Sequence, residues 1–243
     1  MARLWVLQHL AREGPGLFAS MAKAHRLEVE VRRLDRGDPL PEPGGGDGLL
    51  VLGGPMGVGD LENPAYPWLK AESDLIRHSL EKGTPVIGVC LGAQLLAHAA
   101  GGNVEPLLGG RPPRPQPEVG WGAIELMAEE RTDPMLAGLP KRLDVLHWHG
   151  DRILLPASAR LLARSERCLE QLFRIGETAC GLQFHVEVER EGVEQWIEED
   201  GAFIRSALGD GAAMLLRSQQ ERHGAATGGA RRQLLENLFN VLW

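Results

Sequence analysis

The stretch of residues 84–102 changes from a strand pattern to a helix pattern at one residue, and this change constrains the fold more than any other feature of the chain. Residues 85–89 form a short apolar run rich in β-branched side chains, which predicts a buried strand. From Leu91 the apolar residues recur at helical spacing until Gly101 and Gly102, which predict the end of a helix. Cys90 therefore lies at a corner between a strand and a helix.

The glycines around Cys90 give this corner the form of a nucleophile elbow. Gly88 and Gly92 stand two residues before and two residues after it, which is the Gly-x-nucleophile-x-Gly spacing. A sharp turn brings these two positions together and leaves little room for a Cβ atom. The start of a helix also favours the thiolate form of a cysteine. The pattern predicts a reactive Cys90, and the alternative is a buried cysteine between two glycines that allow close packing.

Strand and helix patterns alternate along the first hundred residues, which predicts an open, mostly parallel α/β sheet with helices on both faces. The predicted strands cover residues 4–7, 27–34, 49–52 and 85–89, and the predicted helices cover 17–25, 68–82 and 91–100. Further strands, partly antiparallel, are expected at 119–127, 145–149, 160–165, 169–175 and 179–186, with an exposed loop at 107–117. Helices are expected at 193–208, 212–222 and 231–243. We expect a single domain over residues 1–243, with a core at about 2–190 and a helical C-terminal extension at about 191–243.

A second pattern with chemical potential is His185-Val-Glu187, at the end of the last predicted strand. Two residues that are two apart on a strand share a face, so the carboxylate can orient the imidazole. A thiolate nucleophile needs a base, and that base needs an orienting partner. Together with Cys90 these residues predict a Cys–His–Glu triad, whereas the His-x-Glu pair alone would be read as structural.

A glycine-rich turn, Gly53-Gly54-Pro55-Met56, directly follows the predicted strand at 49–52. Glycines at such a position let backbone N–H groups face a ligand. The turn lacks both the Gly-Lys-Ser/Thr ending and the Gly-x-Gly-x-x-Gly spacing of nucleotide-binding loops. It fits instead one half of an oxyanion hole, whose other half would be the N–H group of Leu91, directly after the nucleophile.

The segment His147-Trp-His149-Gly-Asp151 is typical, by itself, of a dinuclear metallohydrolase. Those sites usually have a second histidine directly after the aspartate, where this chain has Arg152, and their fold has no counterpart of the Cys90 corner. We therefore expect no metal site and interpret the segment as a substrate-binding turn beside the sheet, rather than as packing histidines alone.

Composition excludes several classes of partner. The net charge of −7 argues against nucleic acids and anionic membranes. No apolar run approaches the roughly 18 residues of a membrane span, and the N-terminus lacks the plan of a signal peptide. The three cysteines form neither a disulfide framework nor a Cys-x-x-Cys pair, so we expect a reducing cytoplasm and an inert Cys168 and Cys180.

Four motifs of the chain together resemble the class I glutamine amidotransferases in order and spacing. They are Gly53-Gly-Pro-Met56, Gly88-Val-Cys-Leu-Gly-Ala-Gln94, His149-Gly-Asp151 and Gln183-Phe-His-x-Glu187. The resemblance covers about residues 2–190 and is strongest to stand-alone proteins similar to the amidotransferase domain of GMP synthase. It implies an open α/β fold and the release of ammonia from glutamine through a γ-glutamyl thioester.

The resemblance implies a role for each matching residue and requires no metal or redox cofactor. Cys90 matches the nucleophile, His185 the base and acid, and Glu187 the orienting carboxylate. The oxyanion donors match Gly54 and Leu91, and the contacts to glutamine match Met56, Gln94, Trp148, Gly150 and Asp151. Val186 and Trp148 depart from the family pattern, in which a proline and a small polar residue are usual.

Three functions follow from these patterns. The chain is a glutaminase subunit that delivers ammonia to a separate synthase, or a γ-glutamyl peptidase or hydrolase acting on small γ-glutamyl compounds, or a non-catalytic regulatory module on the same fold. The presence of Cys90, His185 and Glu187 argues against the third. No synthase motif such as an ATP-pyrophosphatase loop is found in the sequence. Dependence of the activity on a partner protein would therefore distinguish a glutaminase subunit from a γ-glutamyl peptidase.

Overall fold

The computed structural model describes residues 1–127 and 132–243. These residues contain thirteen strands and seven α-helices. The strands are β1 (Arg3–Gln8), β2 (Glu28–Arg33), β3 (Gly48–Val51), β4 (Val86–Val89), β5 (Asn103–Pro106), β6 (Leu108–Gly109), β7 (Arg114–Pro115), β8 (Glu118–Leu126), β9 (Arg142–His149), β10 (Asp151–Leu154), β11 (Ala159–Arg164), β12 (Leu172–Ile175) and β13 (Ala179–Leu182). The helices are α1 (Gly16–Ala24), α2 (Leu69–Lys82), α3 (Leu91–Ala99), α4 (Arg190–Glu199), α5 (Gly201–Leu208), α6 (Ala212–His223) and α7 (Gly228–Leu242).

Nine of the strands form one open sheet in the order β2-β1-β3-β4-β13-β12-β11-β8-β9. The first five run parallel to one another. The remaining four continue the sheet as antiparallel neighbours. The prediction of an open, mostly parallel α/β sheet is thereby confirmed, and β4, which leads into Cys90, lies near its centre.

The inner parallel strands β1, β3, β4 and β13 are buried on both faces because helices cover both sides, whereas the edge strand β2 is partly exposed. Alternate residues of β1 enter different cores. Leu4 and Val6 pack with α1 and α7 in one apolar cluster, whereas Trp5 and Leu7 pack with α2 and α3 in the other. The predicted helices on both faces of the sheet are therefore present.

The glycine that ends α2 sets where β4 begins. Gly83 has φ 68°, and its N–H group bonds to the carbonyl of Leu80 while Thr84 N–H bonds to Ser79. This is a left-handed C-terminal cap, a conformation that glycine adopts without a Cβ clash. Val86 then starts the strand, so that four residues later Cys90 lies at its carboxyl end.

Several predicted boundaries were wrong in ways that matter for the site. The predicted strand at 179–186 ends at Leu182, and His185 meets β9 only through an isolated bridge to Leu146. The expected loop at 107–117 contains the short hairpin of β6 and β7, and the small β5–β10 sheet was not expected. The helix expected at 193–208 divides at Asp200 into α4 and α5.

The helices after residue 190 pack directly on the sheet. On α7 the side chains of Leu234, Leu238 and Phe239 are fully buried in the cluster that contains β1 and β4. Helices α4, α5 and α6 form a third cluster with Trp121 and Trp148 of β8 and β9. Among the described residues, every helix falls short of the length or apolarity that a membrane crossing requires.

Candidate active site

The backbone at Cys90 has the conformation that the flanking glycines predict. Cys90 has φ 52° and ψ −108°, a region that residues with a side chain rarely adopt. A Cβ atom on Gly88 would lie 2.4 Å from the carbonyl oxygen of Gly92, and one on Gly92 would lie 2.0 Å from that of Val51. The turn is therefore closed by backbone-to-backbone contacts that only glycine permits at these two positions.

The thiol of Cys90 is almost completely buried but lines a pocket. Its Sγ lies 3.8 Å from the carbonyl oxygen of Trp148. Leu91, the next residue, is the first of α3, and the first N–H groups of a helix have no partner within the helix. A Cβ atom on Gly54 would lie 3.1 Å from the side chain of Leu91, so the two predicted oxyanion donors are neighbours.

His185 lies beside Cys90 and is held from behind by Glu187. Its Nδ1 atom is 2.6 Å from Oε1 of Glu187, whose other oxygen accepts the N–H of Val186 at 2.9 Å. Burial by itself would lower the pKa of His185, but the charge of Glu187 and hydrogen bonding to Cys90 and Glu187 raise this pKa well above its usual value. The imidazole is thus favoured in its protonated form.

A pocket of about 330 Å³ joins these residues. All the predicted site residues line it except Glu187, which lies behind His185: Gly54, Met56, Cys90, Leu91, Gln94, Trp148, Gly150, Asp151 and His185. The volume is near the lower end of the roughly 300–1,000 Å³ usual for small-molecule sites. The pocket therefore suits a ligand of amino-acid size.

Two of the predicted substrate contacts are already engaged by protein groups. The indole N–H of Trp148 donates to Asp200 at 2.9 Å, so this side chain fastens β9 to the junction of α4 and α5. Gln94 lies 3.4 Å from Gln183 through their side-chain amides. Asp151 is half-buried, and burial raises the pKa of its carboxyl group against the opposing effect of His149.

Glu13 is a pocket residue that the sequence analysis missed. A Cβ atom on Gly53 would lie 2.3 Å from the Glu13 carboxylate and 3.2 Å from Cε1 of His185, so this carboxylate lies over the glycine turn beside the imidazole. Burial raises its pKa, and the positive charges of His185 and Arg12 oppose that rise. Glu13 lies in the loop after β1. Its position at the carboxyl end of a parallel strand is the one signal by which the sequence could have indicated a role in the pocket.

A buried pair also missed by sequence reasoning supports the glycine turn. The Nε2 atom of His9 is 2.8 Å from Glu72, and its Nδ1 atom is 2.9 Å from the carbonyl oxygen of Gly53. Both side chains are fully buried. Burial lowers the pKa of His9, but Glu72 outweighs this and the pKa is raised overall. The pair thereby ties α2 to the turn that carries Gly54.

The comparisons with known proteins all point to one protein family. The family model described as Glutamine amidotransferase class-I matches residues 17–201. The chain is 31% identical, over 209 residues, to the glutamine amidotransferase-like protein YfeJ of Salmonella typhimurium, covering 85% of this chain and 84% of that one. It is 38% identical over 143 residues to GMP synthase of Thermomicrobium roseum, but spans only 23% of that enzyme's length.

Solved structures support the same assignment. A glutamine amidotransferase of Thermotoga maritima superposes with a TM-score of 0.82 at 31% identity, covering 98% of this chain and 97% of that one. A glutamine amidotransferase of Methylobacillus flagellatus also gives 0.82, at 27% identity, with 100% and 96% covered.

The contacts at the elbow predict an unequal effect of alanine at two glycines. Gly92→Ala forces a Cβ atom into the Val51 carbonyl, so we expect a loss of about 1–3 kcal/mol or more in the free energy of unfolding. Gly59→Ala is the control, because nothing lies within 4 Å of its Cβ position, and its effect should stay within about 0.5 kcal/mol. Urea denaturation measures both, and equal midpoints would refute the close approach at Gly92.

Proposed function

Because the chain belongs to the class I glutamine amidotransferase family, we propose that it hydrolyses the side-chain amide of glutamine through a γ-glutamyl thioester on Cys90. One observation carries the proposal. Cys90, in a backbone conformation that residues with a side chain rarely adopt, lines a pocket of amino-acid size together with His185, whose pKa is raised, and with Gly54 and Leu91, the proposed oxyanion donors. Each of these elements matches one requirement of acyl transfer.

In the first half of the reaction the Cys90 thiolate attacks the γ-carbonyl carbon, and the electron pair moves onto the carbonyl oxygen. The N–H groups of Gly54 and Leu91 stabilise that negative charge, a role worth about 10²–10³ in rate for each donor. His185 then gives its proton to the amide nitrogen. The C–N bond breaks, ammonia leaves, and the γ-glutamyl group remains on sulfur.

In the second half a water molecule attacks the thioester while His185 accepts its proton. The C–S bond breaks, glutamate leaves, and the thiolate is restored. Glu187 accepts the Nδ1–H hydrogen bond in both halves and stabilises the imidazolium, as the short contact between Nδ1 and Oε1 supports. The raised pKa of His185 favours an imidazolium beside the Cys90 sulfur in the resting protein.

The charges of the pocket support an α-amino acid as substrate. Glu13 and Asp151 are both carboxylates that line it, and neither is fully exposed. The α-ammonium group of glutamine would offset the cost of keeping them ionised inside the pocket. We assign Asp151 and Glu13 to the ammonium group, with Gly150 and Met56 shaping the walls.

A separate synthase subunit would receive the ammonia. The stand-alone amidotransferases of similar length support this arrangement, whereas in GMP synthase the matching region is 23% of a longer chain. We place the reaction in the cytoplasm, since Cys90 must remain a free thiol.

The test compares two substrates on one preparation. We expect kcat/KM for glutamine to exceed that for a γ-glutamyl dipeptide, and Cys90→Ala to lower turnover of both by about 10⁶. Cys168→Ala is the matched control, because burial raises the pKa of that thiol to about 12 and keeps it inert. Turnover by Cys90→Ala would contradict the mechanism. A strong preference for the dipeptide would instead assign the protein to the γ-glutamyl peptidases.

The two carboxylates beside His185 are expected to differ in kinetics. Glu187→Gln keeps the shape but removes the charge bonded to Nδ1, so kcat should fall by roughly 10⁴. Glu13→Gln should act mainly on KM, because we assign that carboxylate to the substrate. Steady-state kinetics on both variants decides the matter. A larger loss of kcat in Glu13→Gln than in Glu187→Gln would reverse the two roles.

A further inference from the structure

Three buried side chains outside the reaction machinery, Glu118, His147 and His149, form a compact cluster at the edge of the sheet. Their ligand atoms lie within 4.8 Å of one another. The pairing of β8 and β9 produces this arrangement. Glu118 lies directly opposite His149, and His147 is two residues away along β9, opposite Gly120.

Hydrogen bonds to backbone carbonyls orient both imidazole rings toward Glu118. The Nδ1–H group of His149 donates to the carbonyl of Asp151 at 2.8 Å, so in the neutral ring Nε2 carries the lone pair, and this atom lies 3.2 Å from Oε2 of Glu118. His147 bonds to the backbone of Gly122, which lies beside its Nε2 atom. Its Nδ1 atom then faces the same oxygen of Glu118 at 3.7 Å.

Apart from these approaches to Glu118, the two nitrogen atoms have no hydrogen-bond partner among the described residues. Both rings are nearly inaccessible, with side-chain exposures of 4% for His147 and 1% for His149. A lone pair that faces a carboxylate in a buried site is unfavourable unless a cation or a proton lies between them.

The carboxylate of Glu118 is itself held in place by outer hydrogen bonds. Ser165 donates its hydroxyl to Oε1 at 2.7 Å, and the amide of Gln171 donates to Oε2 at 2.7 Å. Carboxylate and imidazole ligands of metal ions are typically oriented by such partners. The cluster therefore has three convergent ligands and an outer shell for each.

We propose that Glu118, His147 and His149 bind a divalent transition-metal ion of the Zn²⁺ class. Two imidazole nitrogens and one carboxylate oxygen are a common ligand set for that ion. Ligands about 2.0–2.1 Å from a tetrahedral zinc lie about 3.3 Å from one another, and the two separations from Oε2 of Glu118 are 3.2 and 3.7 Å.

A groove of about 620 Å³ gives access to the cluster, since Glu118 and His147 line it. A water molecule from this groove would complete the coordination. The expectation of no metal, drawn from the sequence, considered Asp151 as the third ligand of the His-x-His segment. Glu118 takes that place from another strand, which no local pattern reveals.

The position of the site indicates a structural or regulatory ion rather than a catalytic one. His149 ends β9, and it lines the wall of the catalytic pocket together with the two residues that follow it, Gly150 and Asp151. A bound ion would hold this turn in place without touching the reacting atoms.

The test uses the full chain as Cys90→Ala, freed of metal with a chelator, so that the thiol is not an alternative ligand. We expect calorimetry to show one equivalent of Zn²⁺, and Co²⁺ to give the visible absorption of a tetrahedral site. Zn²⁺ should also raise the midpoint of thermal unfolding, because it binds the folded chain alone.

His147→Gln and Glu118→Gln, each made in Cys90→Ala, should weaken binding by more than the 10- to 100-fold typical of an outer-shell partner. The exposed His78, changed to Gln in the same background, is the matched control and should bind as its parent does. Circular dichroism checks that each variant is folded. If the Glu118→Gln variant does not fold, the His147→Gln variant alone tests the proposal. The proposal is overturned if the parent takes up neither ion, as expected for a proton-mediated His149–Glu118 ion pair. Equal uptake by the parent and the folded ligand variants would also overturn it.

Discussion

The close approach of α3 to β3 and β4 is the constraint on which the rest of the site depends. Gly92 lies so near the carbonyl of Val51 that a Cβ atom would be only 2.0 Å away. This contact holds Cys90 in its strained conformation and points the start of α3 at the pocket. Because Val51 ends β3, the same contact places the turn that follows β3 beside the helix. One backbone contact thus positions both the thiol and the two N–H groups proposed to stabilise the oxyanion.

The second constraint is that charged side chains inside the protein need a partner of opposite charge, and the site provides one for each buried histidine. His185 with Glu187 and His9 with Glu72 are both nearly or fully inaccessible pairs. Removing one member of a buried pair leaves an uncompensated charge, at a typical cost of about 3–5 kcal/mol. The His9 pair also bonds to Gly53, so it restrains the turn that would otherwise be free to move. The same buried pairs therefore contribute to the stability of the fold and keep the glycine turn in position for the reaction.

The parts of the fold and site that follow from local pattern could be predicted, and those that depend on contacts between distant segments could not. The change of period at Cys90 and the flanking glycines are local, and the strand, the elbow and α3 follow from them. The side chains of His185 and Glu187 are in contact, although the strand assumed for them ends at Leu182. Their geometry comes instead from a bridge to Leu146 and from the Val186 N–H group. Glu13 and Glu118 were missed because each reaches its cluster from a strand or loop far away in sequence, and single carboxylates carry no periodic signal.

The central claim is that Cys90 carries a γ-glutamyl group during turnover, and mass spectrometry of the acid-quenched protein tests it most directly. The protein is mixed with glutamine, quenched during steady state and mapped by peptide digestion. The account predicts a γ-glutamyl adduct on the peptide that contains Cys90, removable by hydroxylamine and absent from Cys90→Ala. Ammonia release without any adduct on Cys90, or with an adduct on another residue, would contradict it.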